Sequence, residues 1–182
     1  MAARHRIHIT GASGAGVTTL GKALGAALDM PQYDTDDFYW LPTDPPYCDK
    51  RPIPERLALL EPLLAGEGWV LSGSVVSWGN PLMRFADTVV FVVTPTELRM
   101  QRLRRRESER YGDAIAPGGR MYEGSQEFLT WASRYDEPGF PSRSRARHEE
   151  WLRAMALPVI RVDGSRPVGE LVEQVMIALR AR

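Results

Sequence analysis

Gly11-Ala12-Ser13-Gly14-Ala15-Gly16-Val17-Thr18-Thr19 is the stretch on which the fold of this chain turns. Gly11 and Gly16 are spaced as in the phosphate-loop pattern G-x-x-x-x-G-K-[ST], and Thr18 holds its Ser/Thr position. Arg6 to Thr10, just before it, reads as a short strand with Ile7 and Ile9 buried. Just after it, Leu20, Leu24 and Leu28 recur at i, i+4 and i+8, the stripe of a helix facing a core. A glycine turn between strand and helix points successive backbone N–H groups at one anion, and the helix N-terminus adds a favourable field. The candidate nucleotide-binding residues are therefore Gly11, Ser13, Gly14, Ala15, Gly16, Val17, Thr18 and Thr19, with the N–H groups of residues 13–18 around a β-phosphate. The Thr18 hydroxyl is a candidate Mg²⁺ ligand. Val17 stands where the pattern has its lysine. Lys22 lies more than a turn and a half up the helix, too far to replace it. Without a ligand, the same stretch would be a plain glycine-rich turn.

Outward from the loop, strands and helices alternate. Pro31 stops the first helix, and Gln32 to Thr35 is a short second strand. A helix from about Pro54 to Leu64 carries Leu57, Leu60 and Leu64 on one side, with Pro62 expected to kink or shorten it. Trp69 to Leu71 is a third strand, ending in Ser72-Gly73-Ser74, and Thr88 to Val93 is apolar on both faces, as a central parallel strand is. Thr94-Pro95-Thr96-Glu97 reads as a capping box with proline at the first helical position, opening a helix to about Arg110. Residues 111–145 are rich in Gly, Pro, Ser and Arg, with one amphipathic piece holding Phe128, Trp131 and Tyr135. Pro158 to Val162 is a fifth strand, followed by a helix with Leu171, Val172, Val175 and Leu179 inward. Five strands joined by helices predict a three-layer α/β/α sandwich with a parallel sheet, whose ligands bind at the carboxyl ends of the strands.

Two clusters of charge gather at those ends. Asp34-Thr35-Asp36-Asp37 closes the second strand; alternation would set Asp34 and Asp36 on one face, with Asp37 as a helix cap. Two carboxylates beside a phosphate loop suit hydrated Mg²⁺ or the proton of an acceptor hydroxyl. Arg99, Arg102 and Arg106 share one helical face at i, i+3 and i+7, and Arg143, Arg145 and Arg147 alternate at the end of the irregular segment. Arginines brought in by a closing segment would neutralise phosphate charge and exclude water.

Composition narrows the classes further. The chain has 182 residues, 43% hydrophobic and 25% charged, which fits one globular domain and excludes a disordered tail or a coiled coil. No apolar run approaches a membrane span, and Met1 to Arg6 carries no apolar signal region. The single cysteine, Cys48, excludes a disulfide framework and a cysteine zinc cluster, and points to a reducing cytoplasm. His5, His8 and His148 have no zinc spacing. The 23 basic residues balance 23 acidic ones, which argues against nucleic acid as the main partner. All the basic residues except Lys22 and Lys50 are arginine.

With these pieces together, the chain resembles the nucleoside monophosphate and shikimate kinase branch of the phosphate-loop fold. It looks closest to small adenylate-kinase-like proteins, including those called topology modulation proteins. The residues carrying the likeness are Gly11 to Thr19, Asp34-Thr35-Asp36, Trp69 to Gly73, Ala86-Asp87, Arg102, Arg106 and Val162-Asp163-Gly164-Ser165. The resemblance implies a single domain over 1–182 with strand order 2-3-1-4-5, an acceptor-binding segment over 36–68 and a lid over 111–145. It implies Arg102 against the adenine or ribose, Arg106 near the phosphates, Arg166 in a turn flanking the base, and Arg56 toward an acceptor phosphate. Ser72 stands where many relatives have an aspartate, and the Phe-Pro-Arg that follows that aspartate in adenylate kinases is absent.

The function expected is an ATP-dependent, Mg²⁺-assisted phosphotransferase acting on a nucleotide or a small hydroxyl-bearing metabolite. Asp36, Asp34, Arg106 and Arg102 are its catalytic candidates, with Thr18 and Asp34 on the metal. Asp36, Arg56, Ser74 and Trp78 would meet the acceptor. Monomer and dimer both stay open. A nucleotide-binding sensor or partner subunit without chemistry is the alternative, and an RNA-binding arginine helix a weaker third.

Overall fold

The computed structural model describes residues 4–181; residues 1–3, part of the stretch expected to carry no apolar leader, and residue 182 lie outside it. Five strands, β1 (Arg6–Gly11), β2 (Gln32–Asp34), β3 (Trp69–Ser72), β4 (Thr88–Val93) and β5 (Val159–Asp163), form one parallel sheet in the order β2-β3-β1-β4-β5. The helices are α1 (Val17–Leu28), α2 (Thr35–Tyr39), α3 (Ile53–Leu64), α4 (Thr96–Tyr111), α5 (Tyr122–Ser133), α6 (Arg145–Ala154) and α7 (Val168–Arg180). The predicted α/β class and strand order 2-3-1-4-5 are those observed.

The sheet separates two cores, because successive strand residues face opposite layers. Ile7, Ile9, Val70, Val90 and Val92 pack with Leu20 and Leu24 of α1 and Leu171 and Val175 of α7. Trp69, Leu71, Val89 and Phe91 pack with Leu60 and Leu64 of α3 and Trp151 of α6. Each fully buried aliphatic or aromatic side chain contributes about 1.5–3 kcal/mol by leaving water. Among the described residues, no helix is long and apolar enough to cross a membrane.

Several local expectations change. Pro62 lies inside α3, which still runs on to Leu64. The capping box does not form: Pro95 occupies the N-cap position with no side-chain bond, and α4 starts at Thr96. Thr94 is used elsewhere; its buried hydroxyl donates to the Ala15 carbonyl at 3.0 Å. Residues 111–145, expected to be mostly irregular, hold α5 between 3-10 turns at Gly112–Ile115 and Arg134–Asp136. Phe128 and Trp131 of α5 pack against Met100 and Leu103 of α4, so the arginine helix has an apolar side that docks this segment.

Candidate functional site

The glycine loop joins β1 to α1 at the carboxyl edge of the sheet. Gly14 (φ 78°) and Gly16 (φ 99°) take left-handed backbone conformations that a side chain resists. A Cβ on Gly14 would also sit 2.7 Å from the Arg99 carbonyl oxygen. The Ala15 N–H donates to the Ala12 carbonyl at 3.1 Å, but those of Ser13, Gly14, Gly16, Val17, Thr18 and Thr19 find no acceptor among the described residues. The first N–H groups of any helix lack intrahelical partners; with those of Ser13, Gly14 and Gly16 also free, the loop offers six donors to an anion.

The loop's carbonyls are held from behind. Ala15 O accepts from Thr94 Oγ1 and from Arg102 Nη1 at 3.3 Å, and Ser13 O accepts from Arg99 Nη1 at 3.3 Å. Arg102 Nη2 donates to Gly164 O at 3.0 Å, tying the loop to the turn after β5. Gly164 approaches so closely that a Cβ there would lie 2.7 Å from Ala15 O. The turn itself is closed by Asp163 Oδ1, which accepts from the Ser165 N–H at 3.0 Å and its hydroxyl at 2.6 Å; these bonds hold its pKa below the usual carboxylate range.

Asp34 connects the loop to the second cluster. It ends β2 and serves as N-cap of α2: Oδ1 accepts from the Asp36 N–H at 3.0 Å. Its Oδ2 accepts from the Thr18 hydroxyl at 2.7 Å. The chain becomes helical at Thr35, so the expected strand alternation of Asp34 and Asp36 does not apply, and the cap is Asp34 rather than Asp37. The two carboxylates come together through the cap instead. Asp36 is solvent-exposed as a residue, with protein walling one side of its carboxyl. That wall raises its pKa first and the Asp34 charge adds to it, while Arg143 and Arg106 pull it down.

The arginines divide by what they hold. Arg99 is fully buried and spent on structure, donating to Ser13 O, Ala132 O, Thr96 Oγ1 and Asp136 Oδ2. Arg102 is spent on the two loop carbonyls. Arg106 is exposed, with its guanidinium 5.9 Å from the Phe128 ring centroid and its charge felt at Asp36. Arg166 pairs with Glu170 at 3.2 Å on the exposed start of α7. Arg56 is 5% exposed, stacked 3.8 Å from the Tyr39 ring centroid and 5.3 Å from that of Trp78. Its Nε donates to Arg51 O at 2.6 Å, and its two remaining nitrogens donate to nothing among the described residues.

Sequence reasoning grouped Arg143 with its neighbours and left it out of the site. The structure brings it in: its Nη2 donates to the Ser13 hydroxyl, and its guanidinium lies 4.9 Å from the Trp131 ring centroid. The signal was its place at the end of the irregular segment; the signal lacking was any way to tell it from Arg145, which pairs with Asp136 at 2.8 Å, or Arg147, which donates to Pro141 O.

Ser74 and Trp78, expected to meet an acceptor, are turned toward the protein interior. Trp78 donates to Ser74 O at 3.1 Å, and the Ser74 hydroxyl lies 3.3 Å from His148 Nε2. His148 is fully buried, 2.7 Å by Nδ1 from the Tyr135 hydroxyl and 3.4 Å by Nε2 from the Thr10 hydroxyl. Burial, then the Arg143 charge, lowers its pKa to about 3, so the ring is neutral. Burial raises the pKa of Tyr135. Ser72 is packed away: its hydroxyl accepts from Gln32 at 3.2 Å, and a Cβ on Gly21 would collide with it. Among the described residues no three His, Cys, Asp or Glu side chains cluster to hold a metal, so the hydroxyl–carboxylate pair of Thr18 and Asp34 is the hard-oxygen pair beside the loop.

Solved structures share this architecture. A shikimate kinase from Acinetobacter baumannii in complex with shikimate superposes with a TM-score of 0.58 at 17% identity, covering 98% of this chain and 94% of that one. A gluconokinase from Sinorhizobium meliloti 1021 gives 0.55 at 19%, covering 98% and 93%. A shikimate kinase from Bacteroides thetaiotaomicron gives 0.57 at 16%, covering 97% and 98%. At such identities the likeness is one of fold, that of small-molecule phosphate-loop kinases. No family model matches the sequence. The uncharacterized protein YqaC of Bacillus subtilis (strain 168) is 45% identical over 174 residues, 95% of this chain and 96% of its own length. At that identity and coverage, the chain belongs to the family of YqaC.

Proposed function

We propose that this protein is an ATP-dependent phosphotransferase that moves the γ-phosphoryl group of Mg·ATP to a hydroxyl of a small anionic metabolite. The observation that carries it is the 2.7 Å bond from Thr18 to Asp34, which couples the anion-binding loop to Asp36. A bare glycine turn has no need of that link. The free N–H groups of residues 13–18 would hold the β-phosphate, with Arg102 and Gly164 at the base side. The Thr18 hydroxyl and Asp34 carboxylate fit a hard cation, and when bound Mg²⁺ supplies charge neutralisation at the outer phosphates.

Asp36 then acts as the base. The acceptor oxygen bonds to the γ-phosphorus, and the bond from that phosphorus to the β–γ bridging oxygen breaks. The electron pair leaves with ADP, and the acceptor proton passes to Asp36. The charge of Arg106 is felt at the same carboxylate and would offset charge during transfer. Arg56, clamped between Tyr39 and Trp78 with two unengaged nitrogens, would take a carboxylate or phosphate of the acceptor in a bidentate pair. Among the fold neighbours are a shikimate kinase with shikimate, a hydroxylated carboxylate, bound and a gluconokinase, which supports a small hydroxylated acid as acceptor. Residues 36–68 and 111–145 would close over the site: Asp44 meets Arg120 at 3.5 Å, and Arg110 lies 4.6 Å from the Tyr47 ring centroid. These contacts are exposed and weak, as suits segments that open.

One observation favours a second reading, a nucleotide sensor: Val17 opens α1 where the motif has its lysine. An ATP-consumption assay over hydroxylated carboxylates and sugars, paired with calorimetry, separates the two. Turnover that Asp36→Asn abolishes while Mg·ATP still binds supports transfer; binding without turnover for any acceptor supports the sensor.

A further inference from the structure

Val17 leaves the loop without a cation of its own, yet three guanidinium groups touch that loop. Two are committed. Arg99 is wedged among four acceptors, and Arg102 spends both terminal nitrogens on the carbonyls of Ala15 and Gly164. Arg143 differs in what its terminal nitrogens hold. Its one hydrogen bond goes to a side-chain hydroxyl, Ser13 Oγ, which can rotate away when a better acceptor arrives. Its Nε, like that of Arg99, is buried and has no partner, but Arg99 has its terminal nitrogens filled by four protein acceptors. A buried N–H on a charged group without an acceptor is costly, on the scale that structures avoid unless a ligand completes it. Its guanidinium is held over Trp131, and the Trp131 indole is itself fixed by a 2.9 Å bond to Ser142 Oγ, so the group is pre-positioned rather than loose. Its charge is also felt at Asp36.

We infer that Arg143, delivered from the segment before α6, takes the place of the missing loop lysine and binds the outer phosphates of the nucleotide directly. The assignment rests on the phosphotransferase reading and deepens it. On phosphate entry Arg143 exchanges Ser13 Oγ for phosphate oxygens and gives its Nε an acceptor. During transfer it stays on the γ-phosphoryl oxygens as the bond to the bridging oxygen breaks and the bond to the acceptor oxygen forms. A fork can bridge two phosphates where a lysine offers one ammonium. The cation also arrives from a segment that packs on the sheet through Tyr135 and His148, so nucleotide binding and the seating of that segment would be coupled.

The test is calorimetric titration of Mg·ATP, with no acceptor present, into wild type, Arg143→Ala, Arg143→Lys, and Arg143→Ala combined with Val17→Lys. Arg143→Ala should weaken binding at least tenfold, Arg143→Lys by less, and the double variant should recover most of the loss. Val17→Lys alone should gain much less than it gains in the Arg143→Ala background, because the position is already served. If Arg143→Ala shows no thermal unfolding transition, Arg143→Lys and the double variant carry the comparison. Unchanged Mg·ATP affinity in folded Arg143→Ala or Arg143→Lys overturns the assignment while leaving the phosphotransferase reading intact, with the arginine then serving the acceptor or the fold. Failure of wild type to bind Mg·ATP at all overturns both.

Discussion

Asp34 carries two jobs on its two oxygens, and they can be pulled apart. Asparagine caps helices about as well as aspartate, so Asp34→Asn should change unfolding free energy in urea by no more than about 0.5 kcal/mol. Asp34→Ala should cost about 1 kcal/mol through the lost cap. Both should lower turnover by at least about a hundredfold, since neither offers a charged ligand beside Thr18. Equal activity of Asp34→Asn and wild type would separate the carboxylate from the chemistry. Asp36 is read through pH. Its pKa is raised, so kcat/KM should fall on the acid side of a value above the ordinary carboxylate range, and that limb should vanish with the activity in Asp36→Asn. The same shift has a stability sign. The fold favours the protonated form, so Asp36 contributes stability at acid pH that fades as pH rises through its folded pKa. Asp36→Asn should therefore gain on wild type in thermal unfolding as pH goes from acid to neutral.

At the scale of elements, the loop and β1 make the clearest demands. Gly14→Ala meets both a positive φ and the Arg99 carbonyl, so it should cost at least about 1–2 kcal/mol in unfolding free energy and weaken Mg·ATP binding with it. On the other face of β1, His8 is fully buried beside Trp151, and its ring nitrogens make no hydrogen bond of good geometry among the described residues. The Leu71 backbone favours its charged form slightly, but burial outweighs this and lowers the pKa to about 4. His148 lies lower still. Both are neutral when folded and charge on unfolding below about pH 6.5, so their stabilising contribution is full above that and lost as pH falls toward 4 and 3. Between about pH 5.5 and 4.5 the pair should make stability fall with falling pH, and His8→Leu should make that fall less steep. Urea unfolding across that range measures it.

The elements also show where sequence was enough. The strands were legible because burial of alternate or continuous apolar residues is written into β1 and β4. The Gly11–Thr19 loop was legible because Gly14 and Gly16 hold left-handed φ angles that favour glycine. Thr94, by contrast, looked like a cap and instead braces Ala15 O, a contact between residues 79 apart that no local pattern encodes. Asp34 lies against the loop and Asp36 beside Asp34, but not through the expected geometry, because a three-residue strand ends before alternation can act. Arg143 was one arginine among many until tertiary packing over Trp131 distinguished it.

At the scale of the whole molecule, the zero net charge conceals an ordered division. Carboxylates from the end of β2 and guanidinium groups from α4 and the segment before α6 meet across the glycine loop. Most of the remaining arginines sit in exposed pairs such as Arg105–Glu109 and Arg161–Glu149, which leaves little free positive surface for a polyanion. RNA or duplex DNA at physiological salt should accordingly show no saturable binding in a filter assay, whereas Mg·ATP should bind.

Phosphorus NMR of Mg·ATP incubated with the protein and a small-molecule extract of hydroxylated acids and sugars tests the central claim most directly. The γ-phosphate signal should decline while ADP and one new phosphomonoester resonance grow together, and Asp36→Asn should leave the ATP spectrum unchanged. Wild-type protein that broadens the ATP resonances by binding, yet produces no phosphomonoester, would contradict it.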